Sequence, residues 1–256
     1  MQKTTISKLN QLNQEFYQTT AQDFSDSRNY YWHGWYELID ILQTLKLQTV
    51  KSNKKIKVLD LGCGNARFAK FLKREARLHR IEYHGVDNNS RLLDLAQKQM
   101  TQIRIPNKLT KLDIVKSLVK NSLDQQLRNE YDLIVCFGIL HHIPSFKLRK
   151  RLFKNLNSLL KDNAFLIITS WQFAKDERFE KKIIQPEQVD IKAKELESDD
   201  YILDWQRGTP AYRYCHYTSE EEMHLLAKGS KLQLLDSFKA DGKSKQLNLY
   251  AILKKG

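Results

Sequence analysis

From residue 56 to residue 171 the apolar positions fall into short runs rich in Val, Ile and Leu, separated by stretches whose apolar residues lie three and four apart. Short continuous apolar runs are strands buried on both faces, and the stretches between them have the period of crossover helices covering a parallel sheet. The pattern predicts strands at 56–61, 81–86, 109–113, 131–137 and 164–171. A helix begins near Ala66, and a second follows Ser90 as its N-cap and aligns Leu92, Leu93, Ala96 and Met100. A third covers 115–128. The fourth follows Pro144 and Ser145, burying Leu148, Leu152, Phe153, Leu156 and Leu159 and turning a basic face outward. Residues 172–217 break this rhythm: they are charged and irregular, with Pro186, Gly208 and Pro210 as breakers, and read as an insertion or substrate-side lid. A helix at 219–228 is expected to stop at Gly229. Strands at 231–238 and 246–253 then close a hairpin through Asp241-Gly242. The fold class is therefore α/β, a seven-stranded, mostly parallel sheet ending in an antiparallel hairpin. Residues 1–53 are expected as a helical cap and 54–256 as the main domain, with the aromatic cluster at 30–36 packing over a ligand mouth.

Composition narrows the class. The chain has 256 residues, 41% of them hydrophobic, enough for one buried core with additions and too apolar for a disordered chain. Residues 1–22 lack the apolar stretch of a signal peptide, and no run has the length of a membrane span, so a cytoplasmic protein without membrane contact is expected. Cys63, Cys136 and Cys215 are odd in number and lack Cys-x-x-Cys spacing, which supports neither disulfides nor a zinc site; no metal is expected. The net charge is +13 and the isoelectric point about 9.5. Basic residues cluster at Arg67, Lys70, Lys73, Arg74, Arg77 and Arg80, and again at Lys147, Arg149, Lys150, Arg151 and Lys154. Such a field concentrates polyanions, though charge taken alone favours a solubilising surface.

The chemistry starts at Val58-Leu59-Asp60-Leu61-Gly62-Cys63-Gly64-Asn65-Ala66, a strand running into a glycine turn and then a helix. Gly62 and Gly64 let the backbone bend sharply and a ligand lie against it. A dinucleotide site wants a third glycine at position 67, which is Arg67, and there is no Gly-Lys-Ser/Thr of a phosphate loop. Asp87, with Asn88 after it, ends the second strand where a carboxylate accepts both hydroxyls of a ribose. Asp113 either accepts an adenine amine or caps the next helix.

Together these residues resemble the class I, Rossmann-like methyltransferases, in which the first strand ends in Asp/Glu-x-Gly-x-Gly. The resemblance implies S-adenosylmethionine as cofactor, with Asp60, Gly62, Cys63 and Gly64 at its methionine end, Asp87 and Asn88 at the ribose and Asp113 at adenine. Phe137 and Gly138 would lie under the sulfonium. Ala66 departs from the third glycine of many members. The segment ending Gly138-Ile139-Leu140-His141-His142, Trp171 and Tyr212-Arg213-Tyr214-Cys215-His216 further resemble the wobble-uridine tRNA methyltransferases, which methylate the carboxyl of 5-carboxymethyluridine. That likeness implies tRNA as substrate, His141 and Arg213 as substrate-orienting residues, and Arg28, Trp32, His142, Trp171, Tyr212 and Tyr214 as substrate contacts. Trp205 is a further candidate for stacking on a base. The family works with a small zinc-binding activator subunit, a possible partner here. His141 also reads as a hydrogen-bonding residue at a helix start, and Arg213 as a surface ion pair with the acidic insert. A small-metabolite methyltransferase, or a non-catalytic subunit binding cofactor or RNA, fits the same motifs.

Overall fold

The computed structural model describes residues 1–26, 30–52, 54–205 and 210–256. Two helices, α1 (Lys3–Asp26) and α2 (Ile39–Ser52), precede the alternating part. That part runs β1 (Ile56–Leu61), α3 (Arg67–Arg74), β2 (Ile81–Asp87), α4 (Ser90–Ile103), β3 (Asn107–Lys111), α5 (Ile114–Lys120), α6 (Leu123–Gln126), β4 (Tyr131–Cys136), α7 (Phe146–Leu159) and β5 (Leu160–Trp171). After it come α8 (Glu177–Glu180), β6 (Ile183–Ile184), β7 (Asp200–Asp204), β8 (Tyr212–His216), α9 (Glu220–Gly229), β9 (Leu232–Ala240) and β10 (Asn248–Lys255). The seven-stranded sheet has the order β3-β2-β1-β4-β5-β10-β9. Only β10 runs antiparallel to its neighbours, β5 and β9. The expected α/β sheet with its terminal hairpin is thus present. No helix of the described residues is long and apolar enough to cross a membrane.

Strand alternation sends two cores to the two faces of this sheet. Leu59, Leu61, Ile134, Cys136, Leu166 and Ile168 point toward α5, α6, α7 and α9. Their neighbours Val58, Leu133, Val135, Phe165 and Ile167 point toward α2, α3 and α4.

Several local expectations shift. Asn89, not Ser90, caps α4, its side chain accepting the Leu92 N–H at 3.1 Å. The helix expected at 115–128 is broken at Asn121, which takes left-handed backbone (φ +55°). Beyond α9 the left-handed residue is Lys231 (φ +61°) rather than Gly229. Strand β3 lies two residues earlier than predicted, leaving Asp113 beyond it. Arg149, expected on the basic face of α7, is fully buried. Its Nε donates to Glu222 at 2.6 Å and its NH2 to Glu197 at 3.3 Å.

The described residues of the insert form regular structure. Strands β6, β7 and β8 form a separate antiparallel sheet, and a buried polar network fastens it to α7 and α9. His216 lies 2.8 Å from Asp200 and 2.8 Å from Glu222, the carboxylate that also receives Arg149. Burial lowers the pKa of His216, but Asp200 and Glu222 outweigh it and the net shift is upward. At the other end, Asp241 opens the loop between β9 and β10. Its Oδ1 accepts the Gly34 N–H at 3.0 Å, and its Oδ2 accepts Asn248 at 2.8 Å and the Tyr250 hydroxyl at 2.7 Å. Gly34 lies flat on Tyr250, where an added Cβ would stand 2.4 Å from the ring.

Candidate active site

The order of the sheet reverses between β1 and β4, and strand ends diverge at such a switch point to leave a crevice. A cleft of about 140 Å³ opens there, lined by Asp60, Gly62, Cys63, Gly64, Phe137 and Gly138. The turn after β1 passes through left-handed backbone at Gly62 (φ +82°), Gly64 (φ +54°) and Ala66 (φ +58°). A Cβ on Gly64 would meet no protein atom within 4 Å, whereas one on Gly62 would stand 2.2 Å from Ile139. Gly64 therefore keeps bare backbone open to a ligand, and Gly62 makes room for the side chain that walls the cleft. Ala66 adopts the conformation a third glycine would take, at about 1 kcal/mol of strain.

Two carboxylates stand behind this turn. Asp87 accepts the Gly64 N–H and the Asn89 N–H, each at 2.9 Å. The Asn88 backbone N–H also acts on this carboxylate, so only part of its acceptor capacity of about four lone-pair sites is left for a ligand hydroxyl. Burial raises the Asp87 pKa, against the backbone N–H groups that lower it. Asp60 accepts the Tyr83 hydroxyl at 2.6 Å. Burial pushes its pKa up to about 7, with Tyr83 opposing the shift and Asp87 adding to it. Burial also holds the Cys63 thiol well above its ordinary value, so this side chain is a neutral wall.

Helix α1 covers the cleft from outside with Asn10, Asn13 and Tyr17. Asp113 lines the cleft and caps α5, accepting the Lys116 N–H at 2.9 Å. Its other oxygen accepts the amides of Asn10 at 2.9 Å and Gln14 at 2.6 Å; an adenine amine would have to share or replace them. His142 Nδ1 lies 3.0 Å from the Tyr214 carbonyl and Nε2 2.8 Å from the Tyr17 hydroxyl. The Asn13 side-chain amide also lies 3.2 Å from Nδ1, so both ring nitrogens are engaged. His142 thus pins α1 to β8.

A second cavity of about 490 Å³ shares Tyr17, Trp32, Arg67 and Gly138 with the cleft. His141, Trp171, Phe179, Trp205 and Arg213 line its far side. Arg213 is only 8% exposed. Its guanidinium carbon sits 4.5 Å from the ring centre of Trp171, 5.0 Å from Phe16 and 5.7 Å from Trp205. No carboxylate among the described residues pairs with it, and its buried Nε meets no acceptor there. The ion pair with the acidic insert is therefore not made.

Tyr212 and Tyr214 line neither cavity. Neighbouring residues of a strand point to opposite faces, so with Arg213 facing the cavity the flanking tyrosines face away. Tyr214 is fully buried and donates its hydroxyl to Asp200 at 2.7 Å, and Tyr212 packs beside it. A role for them in stacking on a base is corrected accordingly. Arg28 lies outside the described residues. His141, His142 and Cys215 bring possible ligand atoms within 4.8 Å of one another, a grouping the sequence did not suggest. Both His142 nitrogens are already engaged, and burial pushes the Cys215 thiol up to about 12.

The profile of a methyltransferase-domain family matches residues 31–237. The chain belongs to the methyltransferases. Probable tRNA methyltransferase 9B of Mus musculus is 25% identical over 168 residues, 65% of this chain and 31% of that protein; the methyltransferase thus spans about a third of that relative's length. A protein of Encephalitozoon cuniculi named only as a methyltransferase is 24% identical over 242 residues, 94% of this chain and 93% of its own. The solved structure of an S-adenosylmethionine-dependent methyltransferase from Clostridium acetobutylicum matches with a TM-score of 0.60 at 16% identity, covering 95% of this chain and 99% of that one. At that identity the likeness is one of fold, the class I methyltransferase fold.

S-adenosylmethionine, the cofactor of this methyltransferase, fits the residues present. The open backbone at Gly64 leaves space for it, and Asp87 would offer its remaining acceptor capacity to a ribose. Asp60, which lines the cleft, would offer a carboxylate to the cofactor's cationic groups. Sequence reasoning missed the amides of α1, although Asn10, Asn13, Gln14 and Tyr17 follow the i, i+3, i+4, i+7 spacing of one helix face. It also passed over Arg67 as a ligand-facing group. Burial lowers the Arg67 pKa to about 10, and its guanidinium lies 5.1 Å from Trp35 and 5.8 Å from Trp32.

Proposed function

We propose that this methyltransferase acts on tRNA, esterifying the carboxylate of a wobble-uridine side chain. The observation that carries this reading is Arg213: a buried cation, walled by three aromatic rings, facing a cavity that shares four residues with the cofactor cleft. Removing a guanidinium from water is costly unless an anion compensates it, and a planar fork matches a carboxylate. Trp32, Trp171 and Trp205 offer faces for an extruded base. The tRNA methyltransferase among its relatives and the +13 net charge point the same way.

When bound, S-adenosylmethionine supplies an electrophilic methyl group. The chain's own work is positioning: Asp87 would hold the ribose, Asp60 would meet the cationic end, and Arg213 would align the acceptor in the adjoining cavity. A carboxylate is ionised near neutral pH and needs no general base. His141, beside Trp171 at 5.4 Å between ring centres, accordingly orients the acceptor rather than taking a proton. Mass spectrometry of nucleosides from tRNA incubated with protein and isotopically labelled cofactor tests the reading. A labelled methyl ester on a uridine is the expected product. Label confined to small molecules would replace tRNA by a small carboxylate acceptor.

A further inference from the structure

The two basic clusters lie on opposite faces of the sheet, α3 with the core beside α2 and α4, and α7 with the core beside α5, α6 and α9. Only α3 adjoins the outer cavity. It begins at Arg67, which lines both cavities and donates to the Tyr30 carbonyl at 2.5 Å. Lys70 and Arg74 follow at spacings of three and four residues and so continue along one side of the helix, and Arg77 lies just beyond its end in left-handed backbone (φ +51°). Arg74 and Arg77 are exposed and Lys70 is half-buried. None of the three forms an ion pair among the described residues. Beside this row Tyr30 is 83% exposed and Tyr36 43% exposed, the latter with its ring 5.2 Å from Phe71 of α3.

Helix α7 is different. It too carries exposed cations, Lys147, Lys150 and Lys154, but Arg149 is buried against Glu222 and Glu197, Arg151 donates to the Leu118 carbonyl at 2.5 Å, and no residue of the helix lines either cavity. Cations interleaved with exposed rings, leading out of a cavity, suit a single strand whose phosphates meet charge while its bases find aromatic faces. We infer that the α3 face, with Tyr30 and Tyr36, is the track on which the single-stranded part of the RNA acceptor docks, and that the α7 face is not. This rests on the tRNA reading above. Glu75, the one acid between Arg67 and Arg80, adds to burial in raising the pKa of Tyr31 and Tyr36 and so stands close enough to repel the track's occupant.

Fluorescence anisotropy of labelled tRNA across a salt series, on the full chain, tests the assignment. Replacing Lys70, Arg74 and Arg77 together by Gln should weaken binding on the order of tenfold or more and reduce the salt slope by about 2 to 3. The same change at Lys147, Lys150 and Lys154 should cost about twofold at most. Glu75→Lys should tighten binding, a gain that misfolding cannot imitate. Calorimetry with S-adenosylhomocysteine checks that each variant is folded. Equal losses from the two triple variants, or a Glu75→Lys that binds no tighter, overturns the track even if wild type methylates tRNA. A wild-type protein that neither binds nor methylates tRNA takes the underlying reading down with it.

Discussion

The cofactor cleft and the outer cavity share four residues and are made in opposite ways. The cleft comes from short contiguous pieces, 60–64, 87–88 and 137–139, at the ends of neighbouring parallel strands. It presents backbone N–H groups, bare glycine and carboxylates. The outer cavity gathers Trp32, His141, Trp171, Phe179, Trp205 and Arg213 from distant parts of the chain, with Asp204, Asp241, Lys182 and Arg67 among them and Phe16 behind Arg213, and presents mainly side chains, rings and charged groups together. The first follows from the switch point of the sheet, while the second depends on what has been added around it. Damage to one should therefore leave the other measurably intact, except where α1 touches both.

Four experiments would break or sharpen this contrast. Arg213→Leu should lower kcat/KM toward a carboxylate acceptor by about 2–5 kcal/mol, from about 30-fold to several-thousand-fold, while cofactor affinity stays level. A parallel loss of cofactor binding, seen by calorimetry, would show that the cavities are not separable. Asp87→Ala should weaken the cofactor by about 1.5–3 kcal/mol, roughly 10- to 150-fold, with tRNA affinity in the absence of cofactor unchanged.

The third experiment varies pH. Asp60 has its pKa raised to about 7, so between its ordinary value and about 7 the folded chain holds a proton that the unfolded chain has lost. Its contribution to stability therefore declines as pH rises through that window and is level above it. A cationic cofactor favours the ionised form, so affinity should climb by up to about tenfold per pH unit below about 7 and flatten beyond. Asp60→Asn should abolish that climb; a wild-type profile flat from pH 6 to 8 contradicts the assignment. The smallest effect belongs to Tyr17→Phe, which removes the hydrogen bond to His142 and should cost about 0.5–1.5 kcal/mol. Because α1 bridges both cavities, this loss should be divided between cofactor Kd and acceptor KM.

Legibility in the sequence follows the same division. The strand pattern, the glycine turn and Asp87 depend on neighbours close in the chain, and periodicity reveals them. Asp113 stayed ambiguous because its helix-capping contact is three residues away, whereas its amide partners Asn10 and Gln14 lie 103 and 99 residues distant. Arg149 read as surface because an amphipathic pattern assigns arginine outward, and nothing local announces carboxylates 73 and 48 residues further on. The insert looked irregular because its strands are two to five residues long and are stabilised by α1 and by buried charge instead of by a long apolar run. Tyr212 and Tyr214 were grouped with Arg213 by adjacency, which in a strand separates side chains.

The contact between Gly34 and Asp241 ties the roof over both cavities to a loop more than two hundred positions away. Hairpin tips usually tolerate drift, but this one carries the bracket for Trp32 and Trp35. Lineages that keep the aromatic roof should therefore vary at 34, 241 and 250 in concert or not at all, and a tip redesigned for stability alone would lift the lid from an otherwise untouched enzyme.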